Sequence, residues 1–78
     1  MENKYYLNYL YLKNHSLDKA YEFLMDVAFP VAINKHLYYD ADYYLEEMAM
    51  SIHRPNKYKA FLNMYLELKM VENQVRQI

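Results

Sequence analysis

Apolar side chains recur through the last third of the chain with the period of a helix. Phe61, Met64, Leu68, Val71, Val75 and Ile78 follow one another at alternating steps of three and four, a spacing that keeps them on one narrow stripe. Between Tyr58 and Leu66 a second set, Tyr58, Leu62, Tyr65 and Leu66, carries the apolar surface around most of the circumference. That pattern predicts a segment buried among other helices. Beyond Leu68 the second set fades into Lys69, Glu72, Asn73, Gln74, Arg76 and Gln77, leaving only a seam of coiled-coil type. The expectation is a terminal helix whose final turns, bearing Leu68, Val71, Val75 and Ile78, pair with something outside the domain. A fraying chain end is the plainer alternative.

Upstream, the same reading predicts three more helices. The run from Tyr5 to Leu12 is rich in tyrosine, which favours strands, but a lone strand would leave its backbone groups unpaired in an otherwise helical chain. A helix capped by Asn3 is expected, with Leu7, Leu10, Tyr11 and Asn14 sharing one face. Ser16 is a good cap for a second helix, in which Leu17, Ala20, Tyr21, Leu24, Val27 and Ala28 form the buried stripe opposite Asp18, Lys19, Glu22 and Asp26. Pro30 cannot donate to Asp26 and disfavours helical angles at Phe29, so this helix should end near Ala28. A short helix from Pro30 to Leu37 would follow, with Ile33 and Leu37 inward. One kinked helix from Leu17 to Leu37 is the alternative. Asp40 or Asp42 should cap the next, with Ala41, Leu45, Met48, Ala49 and Ile52 buried and Tyr43, Glu46, Glu47 and Met50 elsewhere, stopping at His53-Arg54. Pro55 and Asn56 then lead into the terminal helix, with Asn56 as its cap.

Composition narrows this to one all-α domain: a small bundle of four main helices with room for a short fifth. The 78 residues contain neither glycine nor cysteine, which removes glycine-dependent hairpins, phosphate-cradling loops, disulfides and thiolate metal sites. A domain of this length buries only about 60% of its unfolded surface, so packing or oligomerisation has to hold it together. The amino terminus lacks the features of a secretory signal, and no apolar run reaches the ~18 residues that span a bilayer. A cytoplasmic protein with no membrane contact is expected. The preference for lysine, asparagine, tyrosine and isoleucine is the bias of an AT-rich genome, and points to a low-GC bacterium or one of its phages.

Tyrosine carries the functional signal. There are eleven and no tryptophan, and three adjacent pairs occur: Tyr5-Tyr6, Tyr38-Tyr39 and Tyr43-Tyr44. Neighbours in a helix diverge by roughly 100°, so both members of a pair cannot lie deep in one core. Surface tyrosine supplies contact area at little entropic cost, although rings at the core boundary with hydroxyls in water would account for many of them. Met50 and Met70 lie off their main stripes and are expected on the surface. The favoured reading is a non-enzymatic protein-binding module, a regulator, inhibitor or assembly factor that pairs with itself as a homodimer. Its contact residues are expected to be Leu68, Val71, Val75 and Ile78 with Tyr39 and Tyr43.

Other chemistries are weaker. His53-Arg54-Pro55-Asn56-Lys57-Tyr58-Lys59 is the one basic cluster, and Leu45 to Leu62 can be laid over a helix-turn-helix pattern, making Arg54, Lys57 and Lys59 candidate contacts to nucleic acid or another anion. His53 stands where that pattern usually has glycine, Arg54 and Lys59 take places that ought to be apolar, and the formal net charge is -1. His36 with Asp40, and Asp42 with Glu46, share the four-residue spacing of paired metal ligands, but capping explains them better. Ser16 and Ser51 read as cap and helix residues. No enzyme activity, cofactor or metal is expected.

Overall fold

The computed structural model describes residues 3–76, the side chains of Val75 and Arg76 excepted. Four helical rods form, and no strand occurs among these residues. The first, α1 (Lys4–His15), starts where expected: Asn3 is extended and its side chain accepts the Tyr6 N–H at 2.9 Å. Ser16 joins two helices. Its N–H donates to the Leu12 carbonyl at 2.7 Å while its hydroxyl accepts from Lys19 N–H at the start of α2 (Leu17–Phe23).

The expected break near Ala28 does not occur. A π-helical turn (Leu24–Ala28) follows α2 and runs directly into α3 (Phe29–Asn34), with Phe23 and Phe29 both in the right-handed helical region. The continuity is that of the single-helix alternative, with the rod ending at Asn34 instead of Leu37. Proline disrupts a helix because its ring meets the carbonyl four residues back and its nitrogen has no hydrogen. The wide turn shifts the ladder one place, so that Phe29 N–H donates to Leu24 O, and Pro30 sits just beyond the widened section. The extra residue also rotates the downstream part of the rod. Ala28, Phe29 and Ala32 come to the core beside Ala20, Tyr21 and Leu24, whereas Val27 is only half-buried.

The rod closes with a Schellman arrangement: His36 N–H donates to Ile33 O at 3.1 Å and Leu37 N–H to Ala32 O at 2.8 Å. Position 36 must be left-handed for this, and His36 takes φ 59° where glycine would ordinarily serve. The next helix, α4 (Tyr38–Ala49), begins before either proposed cap. Leu37 occupies the cap position without a side-chain bond, and Asp40 lies in the first turn, where its charge complements the helix dipole and it accepts from Asn3 Nδ2 at 3.3 Å. Helix α4 also stops early. Because Ala49 is its last residue, Ile52 falls in the connection and is exposed. Residues 50–56 turn through backbone bonds that include Ser51 N–H to Met48 O and Arg54 N–H to Ser51 O. Asn56, expected as a cap, is left-handed at φ 66° immediately before α5 (Lys57–Arg76).

Each rod contributes to one core: Tyr9 from α1, the Ala20 to Ala32 face of the continuous second rod, Ala41, Tyr44, Leu45 and Met48 from α4, and Met64 and Leu68 from α5. Of the face expected in α1, Leu10 packs against the core, but Leu7, Tyr11 and Asn14 are exposed and the deepest residue lies elsewhere. Tyr9 is buried with Tyr5 and Leu12 packed beside it, whereas Leu7 is 62% exposed and Tyr11 also faces outward. Helix α1 carries apolar residues on two sides, and the side that packs on α2 and the π turn with Tyr9 in reach of Glu47 is the buried one. The whole is thin, with principal extents of 42 × 28 × 15 Å. Since a helix with side chains is about 10 Å across, the slab is too shallow to cover each rod on both sides.

Candidate interaction surface

The inward stripe of α5 is the one expected to reach outside the domain. Leu68 is 1% exposed, Met64 is buried, and Phe61 and Val71 pack against the core as half-buried residues. This seam is spent on α4 within the chain. The side chain of Val75 and the whole of Ile78 lie outside the described residues.

The second set is the exposed one. Tyr58, Leu62, Tyr65 and Leu66 were expected to be buried among helices, yet all four face solvent, with Leu66 at 56% and Met70 exposed beside it. Helix α5 has one principal neighbour, α4, with a minor contact to α3. One neighbour can cover one stripe, and the stripe it covers is Met64-Leu68. Lys69 lies over the Tyr65 ring, its Nζ 5.6 Å from the centroid, and reaches Glu72 at 3.8 Å. Phe61 stacks on Tyr65 at 6.5 Å, which links the outer face to the core boundary.

A second surface lies on the outward side of α4. Tyr39, Asp42, Tyr43 and Glu46 line a shallow hollow of about 140 Å³. Tyr39 is 84% exposed. Tyr43 is half-buried, edge-on to the Tyr6 ring at 5.6 Å, and burial and the nearby Glu47 carboxylate push its phenol up to about 12. Asp42 and Glu46 are exposed and have no ion-pair partner among the described residues. Tyr39 and Tyr43, the two tyrosines expected at an interface, therefore stand together on α4, whereas Leu68 is buried in the core.

The basic cluster is partly used inside the fold. Arg54 pairs with Asp18 of α2 and its guanidinium lies 5.5 Å from the Tyr21 ring centroid. Lys57 is half-buried at the start of α5. Lys59 is exposed at the rim of a groove of about 430 Å³ between the π turn and α5, floored by Met25, Phe29, Ala60 and Met64. A helix-turn-helix joins its two helices by a turn of about 3–4 residues, and residues 50–56 make a longer connection here. His36 hydrogen-bonds the Tyr38 hydroxyl at 2.9 Å instead of approaching Asp40. Among the described residues no group of three or more histidines and carboxylates is placed to hold a metal ion, and no helix is long and apolar enough to cross a membrane. Ser51 is fully buried and donates to Met48 O at 2.7 Å.

One polar contact has no local signal in the sequence. Glu47 accepts from the Tyr9 hydroxyl at 2.7 Å and from Lys13 Nζ at 2.9 Å, tying α1 to α4. Burial pushes the Glu47 carboxyl up, but the Tyr9 and Lys13 bonds outweigh it and hold the group below the usual glutamate range. Burial, with the same carboxylate next to it, pushes the Tyr9 phenol well above its ordinary value. Tyr44 is the contrast: its hydroxyl is buried without a hydrogen-bond partner among the described residues, and burial, with Asp40 nearby, pushes it up to about 12. Comparison of the chain with protein-family models, curated proteins and solved structures gave no match.

Proposed function

We propose that this chain is a small cytosolic, non-enzymatic protein-binding module that associates with itself, with the outward face of α5 as its docking surface. The observation that carries this reading is the exposed set Tyr58, Leu62, Tyr65, Leu66 and Met70 on a single helix face. Scattered surface leucines need no explanation, but apolar side chains contiguous on one face mark interaction sites. Tyrosine beside leucine suits an interface that must also meet water when free. An assembly factor or regulator is the role this supports.

Solution mass, measured by light scattering and sedimentation from micromolar to millimolar concentration, tests the reading. The wild type should self-associate, and a Leu62→Glu, Leu66→Glu chain should remain monomeric with unchanged helical circular dichroism, because neither residue belongs to the core. A wild type that stays monomeric throughout, or a double variant that associates as well as the wild type, would overturn it.

A further inference from the structure

The chemistry of the two outward surfaces points to how copies meet, on the premise that the α5 face is the docking surface. The charges beside Leu66 are cations: Lys59 two turns before it and Lys69 one turn after. Glu67 is exposed and lines the same groove as Lys59, about 100° round the helix from Leu66, and Glu72 is half-buried and shares an ion pair with Lys69. Two such faces meeting across a two-fold axis would bring together mixed charges, Lys59 and Lys69 with Glu67 and Glu72, a weaker electrostatic match than lysines placed on a surface that carries only carboxylates. The α4 surface has the complementary character. Asp42 and Glu46 are its charges, neither paired, and Tyr39 and Tyr43 wall a hollow of about 140 Å³ between them. That volume is well under the ~300 Å³ of small-molecule sites, and suits one side chain.

We propose that α5 of one copy docks on α4 of the next, with Leu66 seated between Tyr39 and Tyr43 and with Lys59 and Lys69 facing Asp42 and Glu46. Such a contact joins two different patches, so it is heterologous. Each copy keeps one free donor face and one free acceptor face, and association proceeds to a ring or an open chain instead of stopping at a symmetric pair. The hollow fixes register and the charges fix polarity. Tyrosine supplies the walls because an exposed hollow lined by phenols remains compatible with water before a partner arrives.

Mixing two variants tests this directly. The Leu62→Glu, Leu66→Glu chain lacks a working α5 face but keeps α4, and an Asp42→Lys, Glu46→Lys chain keeps α5 but loses the α4 acceptor. All four positions lie outside the buried core, and circular dichroism verifies each fold. Each variant alone should be monomeric or associate at least tenfold more weakly than the wild type. An equimolar mixture should form one-to-one heterodimers and nothing larger, because only one productive pair of faces remains. If the α4 variant associates like the wild type while the α5 variant does not, the α4 partner is wrong and the α5 docking face stands. If both variants are monomeric and their mixture forms no heterodimer, the head-to-tail arrangement is wrong. A wild type that never associates overturns this inference together with the reading it rests on.

Discussion

Removing the hydroxyl from two buried tyrosines should shift stability in opposite directions. The Tyr9 hydroxyl donates to the Glu47 carboxylate at 2.7 Å, and a hydrogen bond to a charged group contributes about 1.5–3 kcal/mol net. Lys13 shares the same oxygen at 2.9 Å and keeps part of the charge satisfied, so Tyr9→Phe should destabilise by about 2 kcal/mol. Tyr44 is 1% exposed and its hydroxyl has no partner among the described residues. Burying such a group unpaired costs about 1–3 kcal/mol, and phenylalanine removes it while keeping the ring, so Tyr44→Phe should stabilise by about 1 kcal/mol. Urea denaturation followed by circular dichroism at low protein concentration measures both, provided the slope is unchanged between variants. With total stability for a domain of this size near 4–12 kcal/mol, either shift moves the midpoint visibly. A Tyr44→Phe chain destabilised by about 1 kcal/mol or more would mean the hydroxyl is bonded, and a Tyr9→Phe chain indistinguishable from wild type would remove the Glu47 contact; either result refutes the reasoning.

The pH profile should bend at both ends. Glu47 has a depressed carboxyl in the fold, so its contribution is present above the unfolded glutamate value of about 4.3 and is lost as pH falls below it. Denaturant midpoints of wild type and Glu47→Gln should therefore converge in acid, and a gap that persists well below that value counts against the Tyr9–Glu47–Lys13 contact. At the alkaline end Tyr9, Tyr43 and Tyr44 are all raised. Neutral phenols are favoured in the fold, so their contribution is intact below about pH 10 and is lost as pH climbs toward 12, at up to about 1.4 kcal/mol per pH unit for each. Phenolate absorbance rising together with loss of helix would check this; complete ionisation of all tyrosines in a folded chain would contradict it. His36→Gly should stabilise by about 0.5 kcal/mol, because a left-handed residue other than glycine costs about 1–2 kcal/mol and part of the gain is returned as unfolded-chain entropy. His36→Val should destabilise, and denaturant midpoints for the pair decide the matter.

Helix positions were legible where a single residue type has one good use. Asn3 and Ser16 cap as their side chains allow, and the Ala20-Tyr21-Leu24 face is buried because Asp18 and Glu22 leave no competing stripe. Legibility failed where a helix is apolar on more than one side. In α1, Leu7 and Tyr11 have the same period as Tyr5, Tyr9 and Leu12, and the distant partners decide between them: the rod of α2 and the π turn, and Glu47 on α4, which accepts from Tyr9. That partner lies 38 residues from Tyr9 and no local pattern announces it. Pro30 misled for a different reason. Its usual effect assumes a regular helix before it, and a π turn upstream changes which carbonyl the ring must pass.

The same ambiguity in α5 bears most on function. Twenty residues of helix carry two apolar stripes, and a slab 15 Å deep has room to cover one. Whichever stripe turned inward, the other had to be left for solvent or for a partner. Met64 and Leu68 carry no group that burial would leave without a hydrogen bond, whereas Tyr58 and Tyr65 carry hydroxyls that would each need a buried acceptor. Tyr44 shows what burial without an acceptor entails in this fold. The inward choice thus follows from polarity at the tips of the side chains, which hydrophobic spacing alone does not weigh. It leaves outside the stripe that mixes apolar area with groups able to hydrogen-bond water, the combination a surface needs if it is to be exposed in one state and covered in another.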